Sequence, residues 1–142
     1  MSGAAASHET LLAFDFGARR TGVAVGNTLT GAARALALIS EESGERRLER
    51  VAELVRQWQP QRLVVGRPVH PDGAAHELTA RCERFARQLA SRFGLPVEMV
   101  DERYSSAAAA SQSRDEGDRN SLDAQAAAII LRQYLDERER RR

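Results

Sequence analysis

Leu11-Leu12-Ala13-Phe14-Asp15-Phe16-Gly17-Ala18-Arg19-Arg20-Thr21-Gly22-Val23-Ala24-Val25-Gly26 is the stretch that decides the architecture. Leu11 to Phe16 shows little alternation of apolar and polar residues, which predicts a strand buried on both faces. Gly17 to Arg20 is a turn, and Thr21 to Gly26 predicts a second strand returning as a hairpin. Asp15 lies between Phe14 and Phe16, where a desolvated carboxylate is costly unless it is paired or metal-bound. The plainer role for it is a polar stop that caps the turn at Gly17. Metal ligation is the stronger reading, chiefly because of the acids that end other elements downstream.

Outward from this hairpin, strands alternate with helices. Ala33 to Ile39 reads as a third strand, although its Ala and Leu content leaves helix open. Glu45 to Trp58 is a helix whose apolar stripe is Leu48, Val51, Ala52, Leu54, Val55 and Trp58, and Pro60 ends it. Arg62 to Gly66 is a short buried strand, and Arg67 to Ala74 a loop. His76 to Phe93 is the clearest helix, with Leu78, Cys82, Phe85, Ala86, Leu89 and Phe93 on one face and Gly94 as its C-cap. Val97 to Asp101 is the next strand. Ala107 to Ser113 is a weak helix, Asp115 to Asn120 a polar loop, and Leu122 to about Arg138 the last helix. This order argues an α/β fold with a mixed sheet. Functional sites in such sheets gather at the carboxyl ends of strands. Asp15, the loop after Gly66 and Asp101 all fall there.

Length and composition narrow the function classes. The chain has 142 residues, of which 42% are hydrophobic and 29% charged, as in a one-domain globular protein. Residues 1–10 are expected to form a disordered tail, 11–138 a single domain and 139–142 a frayed end. No apolar run is long enough to span a membrane, and no signal-peptide pattern opens the chain. The single cysteine, Cys82, excludes an internal disulfide and a Cys-rich zinc site and suits a reducing cytoplasm. The net charge is +1, so bulk charge does not announce nucleic acid. All 21 basic residues are Arg. A coding bias is the favoured explanation, although Arg also suits bidentate phosphate contact.

Each further candidate has a plain competitor. In Val97-Glu98-Met99-Val100-Asp101-Glu102-Arg103, strand alternation lets only one acid point toward Asp15. Asp101 is preferred, with Glu102 close behind, and on these residues alone a surface charge cluster is the better reading. Asp123 has capping-box spacing from Asn120, so capping and the helix dipole account for it unaided. Ala124, Ala126, Ala127 and Ala128 weigh the other way, because small residues let a helix approach the sheet closely. Gly17 and Gly22 have Walker-like spacing, but Val23 and Ala24 stand where Lys and Ser/Thr are needed, which excludes a P-loop. Arg19 and Arg20 meet phosphate or solvent with equal weight. His70 lies in a loop without ligand spacing. Glu77–Arg81 and Glu83–Arg87 are i, i+4 pairs expected to form a solvated helix face.

Five motifs in order resemble the YqgF family, relatives of the RuvC Holliday junction resolvase with a ribonuclease-H-like fold. They are Asp15-Phe16-Gly17-Ala18-Arg19-Arg20-Thr21-Gly22-Val23-Ala24, Val64-Val65-Gly66-Arg67-Pro68 with Asp72-Gly73, Phe93-Gly94-Leu95-Pro96-Val97, Asp101-Glu102-Arg103-Tyr104-Ser105-Ser106, and Leu122-Asp123-Ala124-Gln125-Ala126-Ala127 with Tyr134-Leu135. The resemblance spans about Leu11 to Asp136. It implies a nuclease using Mg²⁺ or Mn²⁺, with Asp15, Asp101 and Asp123 as catalytic metal ligands and Glu102 as an alternative. A two-metal centre of this kind activates water and stabilises the leaving oxygen. Arg19, Arg20, Arg67, Arg103 and Ser105 are the candidates for nucleic-acid contact.

The substrate implied is the 5′ end of pre-16S ribosomal RNA. Branched DNA at a Holliday junction is the alternative, with a monomer or homodimer as the acting species. A non-catalytic ribosome-assembly factor that keeps the fold is the third reading. A sugar-kinase-like phosphotransferase shares an Asp-x-Gly hairpin but needs a second domain. Departures from the family pattern gather near Ser121 and Ala107 to Ala110, and so bear on a substrate-contacting loop more than on the metal ligands.

Overall fold

A computed structural model describes residues 8–17, 19–68, 77–102 and 116–140; the side chains of residues 68, 77, 102 and 116–122 lie outside the description. Its elements are β1 (Thr10–Asp15), β2 (Thr21–Asn27), β3 (Ala33–Ile39), α1 (Gly44–Trp58), β4 (Arg62–Pro68), α2 (Glu77–Phe93), β5 (Val97–Glu102) and α3 (Glu116–Arg140). The five strands form one sheet in the order β3-β2-β1-β4-β5. β1, β2 and β3 pair antiparallel, and β4 and β5 join parallel to β1. This is the mixed sheet expected from the alternation of strands and helices.

β1 sits at the centre, and Leu11, Leu12, Ala13 and Phe14 are all fully buried. Their lack of alternation follows from cover on both faces. Leu12, Phe14 and Phe16 join Val51 of α1 and Cys82, Phe85 and Leu89 of α2 in one core. Leu11 and Ala13 join Ala127, Ile130 and Leu131 of α3 in the other. Phe14 and Phe16 both contact Phe85, at centroid distances of 5.8 and 5.0 Å. Aromatic pairs of this geometry add to area burial. The amphipathic α1 is capped at its start by Ser43, whose hydroxyl accepts from the Arg46 amide, and at its end by Gln59 in the left-handed region.

Two boundaries differ from the sequence expectation. The final helix begins at Glu116 rather than Leu122, because the polar stretch through Asn120 continues the helix. Asp123 therefore lies about two turns inside α3, and the capping role weighed for it falls away. At the other end of the chain, Glu9 and Thr10 belong to the folded domain. The Glu9 amide donates to Thr28 Oγ1 at 2.9 Å, and its carboxylate accepts from Arg62 and Arg138 at 3.2 and 2.7 Å. The expected helix at Ala107 to Ser113 lies outside the described residues.

Candidate metal centre at the carboxyl end of the sheet

Asp15 is the last residue of β1, half-buried, in register with Gly22 of β2 and Gly66 of β4. Alternation along β1 puts position 15 on the face of Leu11 and Ala13, the face that α3 covers. Gly22 explains how α3 reaches this end. A Cβ built on Gly22 would lie 1.8 Å from the carbonyl oxygen of Asp123 and 2.3 Å from its carbonyl carbon. Only the missing side chain lets the helix backbone rest on β2 there. The buried Ala124, Ala126 and Ala127 keep the following turn equally close. Asp15 and Asp123, 108 positions apart (123 minus 15), are thus carried to one face and one end of the sheet.

The Asp123 side chain is 36% exposed, and Arg20 Nε lies 3.7 Å from its Oδ2. Burial raises the Asp123 carboxyl above the ordinary Asp value, and the Arg20 charge pulls it partly back. A desolvated acid held by one long ion pair is suited to a hard cation, which supplies the compensation that burial removes. Asp15 also has an interaction partner of its own.

Asp101 sits elsewhere. Arg67 donates to its Oδ1 through Nε at 2.9 Å and approaches it through Nη2 at 2.8 Å, while Arg67 Nη1 reaches Glu83 Oε2 of α2 at 3.3 Å. These contacts place Asp101 on the α2 face with Val97 and Met99, which pack into the core on that side. The preceding residue, Val100, packs into the α3-side core, and Glu98 bonds to Tyr134 of α3 at 2.5 Å. Strand alternation assigns position 102 to the face of Glu98 and Val100, the one shared with Asp15. Among the described residues, no three carboxylate, His or Cys side chains come together as a ready metal cage.

Of the expected phosphate contacts, Arg19 is exposed beside this end, and Arg20 is engaged with Asp123. Arg67 is held by Asp101 and Glu83, and its hydrogen bond to Asp101 raises its already high pKa. Arg103, Ser105 and His70 lie outside the described residues. One feature escaped the sequence reading. Arg47, 3% exposed, stacks its guanidinium 4.6 Å over the Phe16 ring and donates to the Glu41 carbonyl at 2.8 Å. Arg81 approaches the same ring at 5.8 Å. Burial, then the nearby Arg81 charge, lowers the Arg47 pKa. An aromatic residue next to Asp15 was the one available signal that a cation would stack there.

Sheet order and helix cover define a ribonuclease-H-like domain. RuvC of T. thermophilus bound to a Holliday junction substrate superposes with a TM-score of 0.59 over 92% of this chain and 95% of that one, at 20% identity. The yeast mitochondrial Holliday junction resolvase Ydc2 gives 0.57 over 88% and 77%, at 13% identity. Residues 9–137 match the family model described as "RuvX: Holliday junction resolvase", and the chain belongs to this family, also called YqgF. A relative from Burkholderia mallei (strain SAVP1), named "Putative pre-16S rRNA nuclease", is 54% identical over 96% of this chain and 94% of its own length. A relative from Burkholderia cenocepacia (strain HI2424) with the same name is 51% identical over 96% and 95%.

Proposed function

We propose that this chain is a metal-dependent nuclease that processes the 5′ end of pre-16S ribosomal RNA in the cytoplasm. The observation that carries the reading is the seating of α3 on Gly22, which brings Asp123 to the end of the strand that Asp15 terminates. The names of relatives above 50% identity over nearly the full chain support the choice of substrate.

The donor set is hard oxygen, which fits Mg²⁺ or Mn²⁺. Asp15 and Asp123 would hold the ions. The third acid would be Glu102, because Asp101 is committed to Arg67 on the opposite face. When bound, the metal pair supplies an activated water and a counter-charge for the leaving oxygen. Arg20 keeps the Asp123 carboxylate oriented. Arg19 meets the phosphate backbone as the substrate enters, and Arg47 and Arg81 fix Phe16 so that the strand end stays rigid. Arg67, by bracing β4 against β5 and α2, holds the Glu102 position in register.

A second reading, cleavage of a Holliday junction by a homodimer, is favoured by the family description and the fold of the resolvases. Purified protein incubated with a labelled ribosomal RNA precursor and a four-way DNA junction, in Mg²⁺, Mn²⁺ or chelator and beside Asp15→Asn, separates them. RNA cutting that needs metal and Asp15 is the expected result. Junction cutting alone would select the resolvase, and binding without cutting in any metal would select the assembly factor.

A further inference from the structure

A second basic surface lies on the opposite side of the sheet from α3. Between α1 and α2 runs a groove of about 330 Å³ lined by Leu48, Arg84, Arg87, Gln88, Ser91 and Arg92, with no acid in its lining. The i, i+4 neutralisation expected for Arg87 does not form, because Glu83 reaches across to Arg67 at 3.3 Å. Arg84 and Arg87 make no ion pair among the described residues, and both are exposed. Arg92 is held in place by Glu45 at 3.1 Å.

α2 leads from the end of the sheet that carries Asp15 to the groove. α2 starts beside it: Cys82 Sγ donates to the carbonyl of Gly66, the register partner of Asp15, at 3.3 Å. Arg81 stands over Phe16, the residue after Asp15. From Arg81 the guanidiniums follow the helix to Arg92, a span of about 16 Å at 1.5 Å per residue. That is the length of about five phosphates along one strand of a duplex. The other large groove, beside β5, cannot serve in this way. It is lined by acids and bases together, and its Arg62, Arg67 and Arg138 are already bonded to Glu98, Asp101 and Glu9.

We infer that the α1–α2 groove binds the phosphate backbone of the nucleic acid flanking the cleaved bond, so that substrate wraps from the metal centre over the carboxyl edge of the sheet onto α2. The inference rests on the nuclease reading for its ligand class. It rests for its place on Arg84 and Arg87, which make no ion pair among the described residues, and on the course of α2 from the carboxyl end of β4 along the groove.

The test is binding of labelled RNA duplexes of about 8 and about 24 base pairs in chelator, with cleavage assayed separately in Mg²⁺ and Mn²⁺. The double variant Arg84→Ala/Arg87→Ala is compared with Arg46→Ala/Arg56→Ala, which removes equal charge from exposed α1 positions outside the groove. The groove variant should lose about tenfold in affinity for the long duplex and little for the short one. Its slope of log K against log salt should fall by about 2, one per lost phosphate contact. KM should rise with kcat unchanged. Equal losses in the control pair, no loss in the groove pair, or no duplex binding by the unmodified protein would overturn the inference. So would loss of polyglutamate binding with duplex affinity intact, which would mark an acidic-protein surface. Absence of metal-dependent cutting with groove-dependent duplex binding intact would sink the nuclease reading and leave the groove standing.

Discussion

At Asp101 and Glu102, two adjacent acids are separated by the pleat of one strand. Asp101 is bonded to Arg67, which also reaches Glu83 of α2, and strand alternation is the ground for proposing the next position, 102, as the third ligand. Glu102→Gln should therefore lower metal-dependent cleavage at least about 100-fold, while Asp101→Asn should retain cleavage and lose less than about 1 kcal/mol, the value of a half-exposed ion pair. Cleavage assays and urea melts on both variants check this, and the reverse ranking would return the ligand role to Asp101. Gly22 is the other decisive residue. A Cβ there collides with the Asp123 backbone, so Gly22→Ala should cost about 3 kcal/mol and cut kcat about 100-fold by lifting α3 off the sheet. An alanine variant with unaltered melting would remove the seat from the argument.

At the scale of elements, one carboxylate ties three of them together. Glu9, just before β1, accepts from Arg62 at the start of β4 and Arg138 near the end of α3. Burial alone would raise the Glu9 pKa, but the two guanidinium hydrogen bonds and their charges outweigh it, and the net shift is downward. A carboxylate with a depressed folded pKa stabilises the fold above its unfolded value, near 4.5, and that contribution is lost as pH falls through the folded pKa. Glu9→Gln should therefore reduce stability by about 1–2 kcal/mol at neutral pH and show a smaller difference from the parent in acid. Thermal melts at pH 7 and pH 3 read both.

The elements also show what could be read in advance. The unbroken Leu11 to Phe14 run and the stripe of α2 are strong signals because burial on both faces, or on one helical stripe, leaves a period in the residues. The start of α3 left none. Its first residues through Asn120 are polar and include Gly117, so no apolar face distinguishes helix from loop. The choice between Asp101 and Glu102 was likewise beyond local pattern, since alternation says that they differ but not which faces Asp15. What bears on it is the pairing of Asp101 with Arg67, a residue on another strand. Arg47 was hidden for a related reason: a charged residue beside an apolar stripe reads as solvated until Phe16 is known to lie across from it.

For the whole molecule, the proposed ion site would make folding and cation binding interdependent. Ions held between β1 and α3, as proposed above, would bind the native state alone, so an excess of about 100 times Kd should add about 2.7 kcal/mol to stability. Thermal melts with Mn²⁺ should rise for the parent chain and not for Asp15→Asn. An equal rise in both would mean that the ion acts at some other place.

α3 is the last of the described elements to be synthesised, and it covers a whole face of the sheet while carrying Asp123. Until α3 packs, the Leu11–Ala13 face of β1 is uncovered and Asp123 is not yet seated at Gly22. The end of the sheet where Asp15 lies is therefore covered only once α3 has been made and has packed.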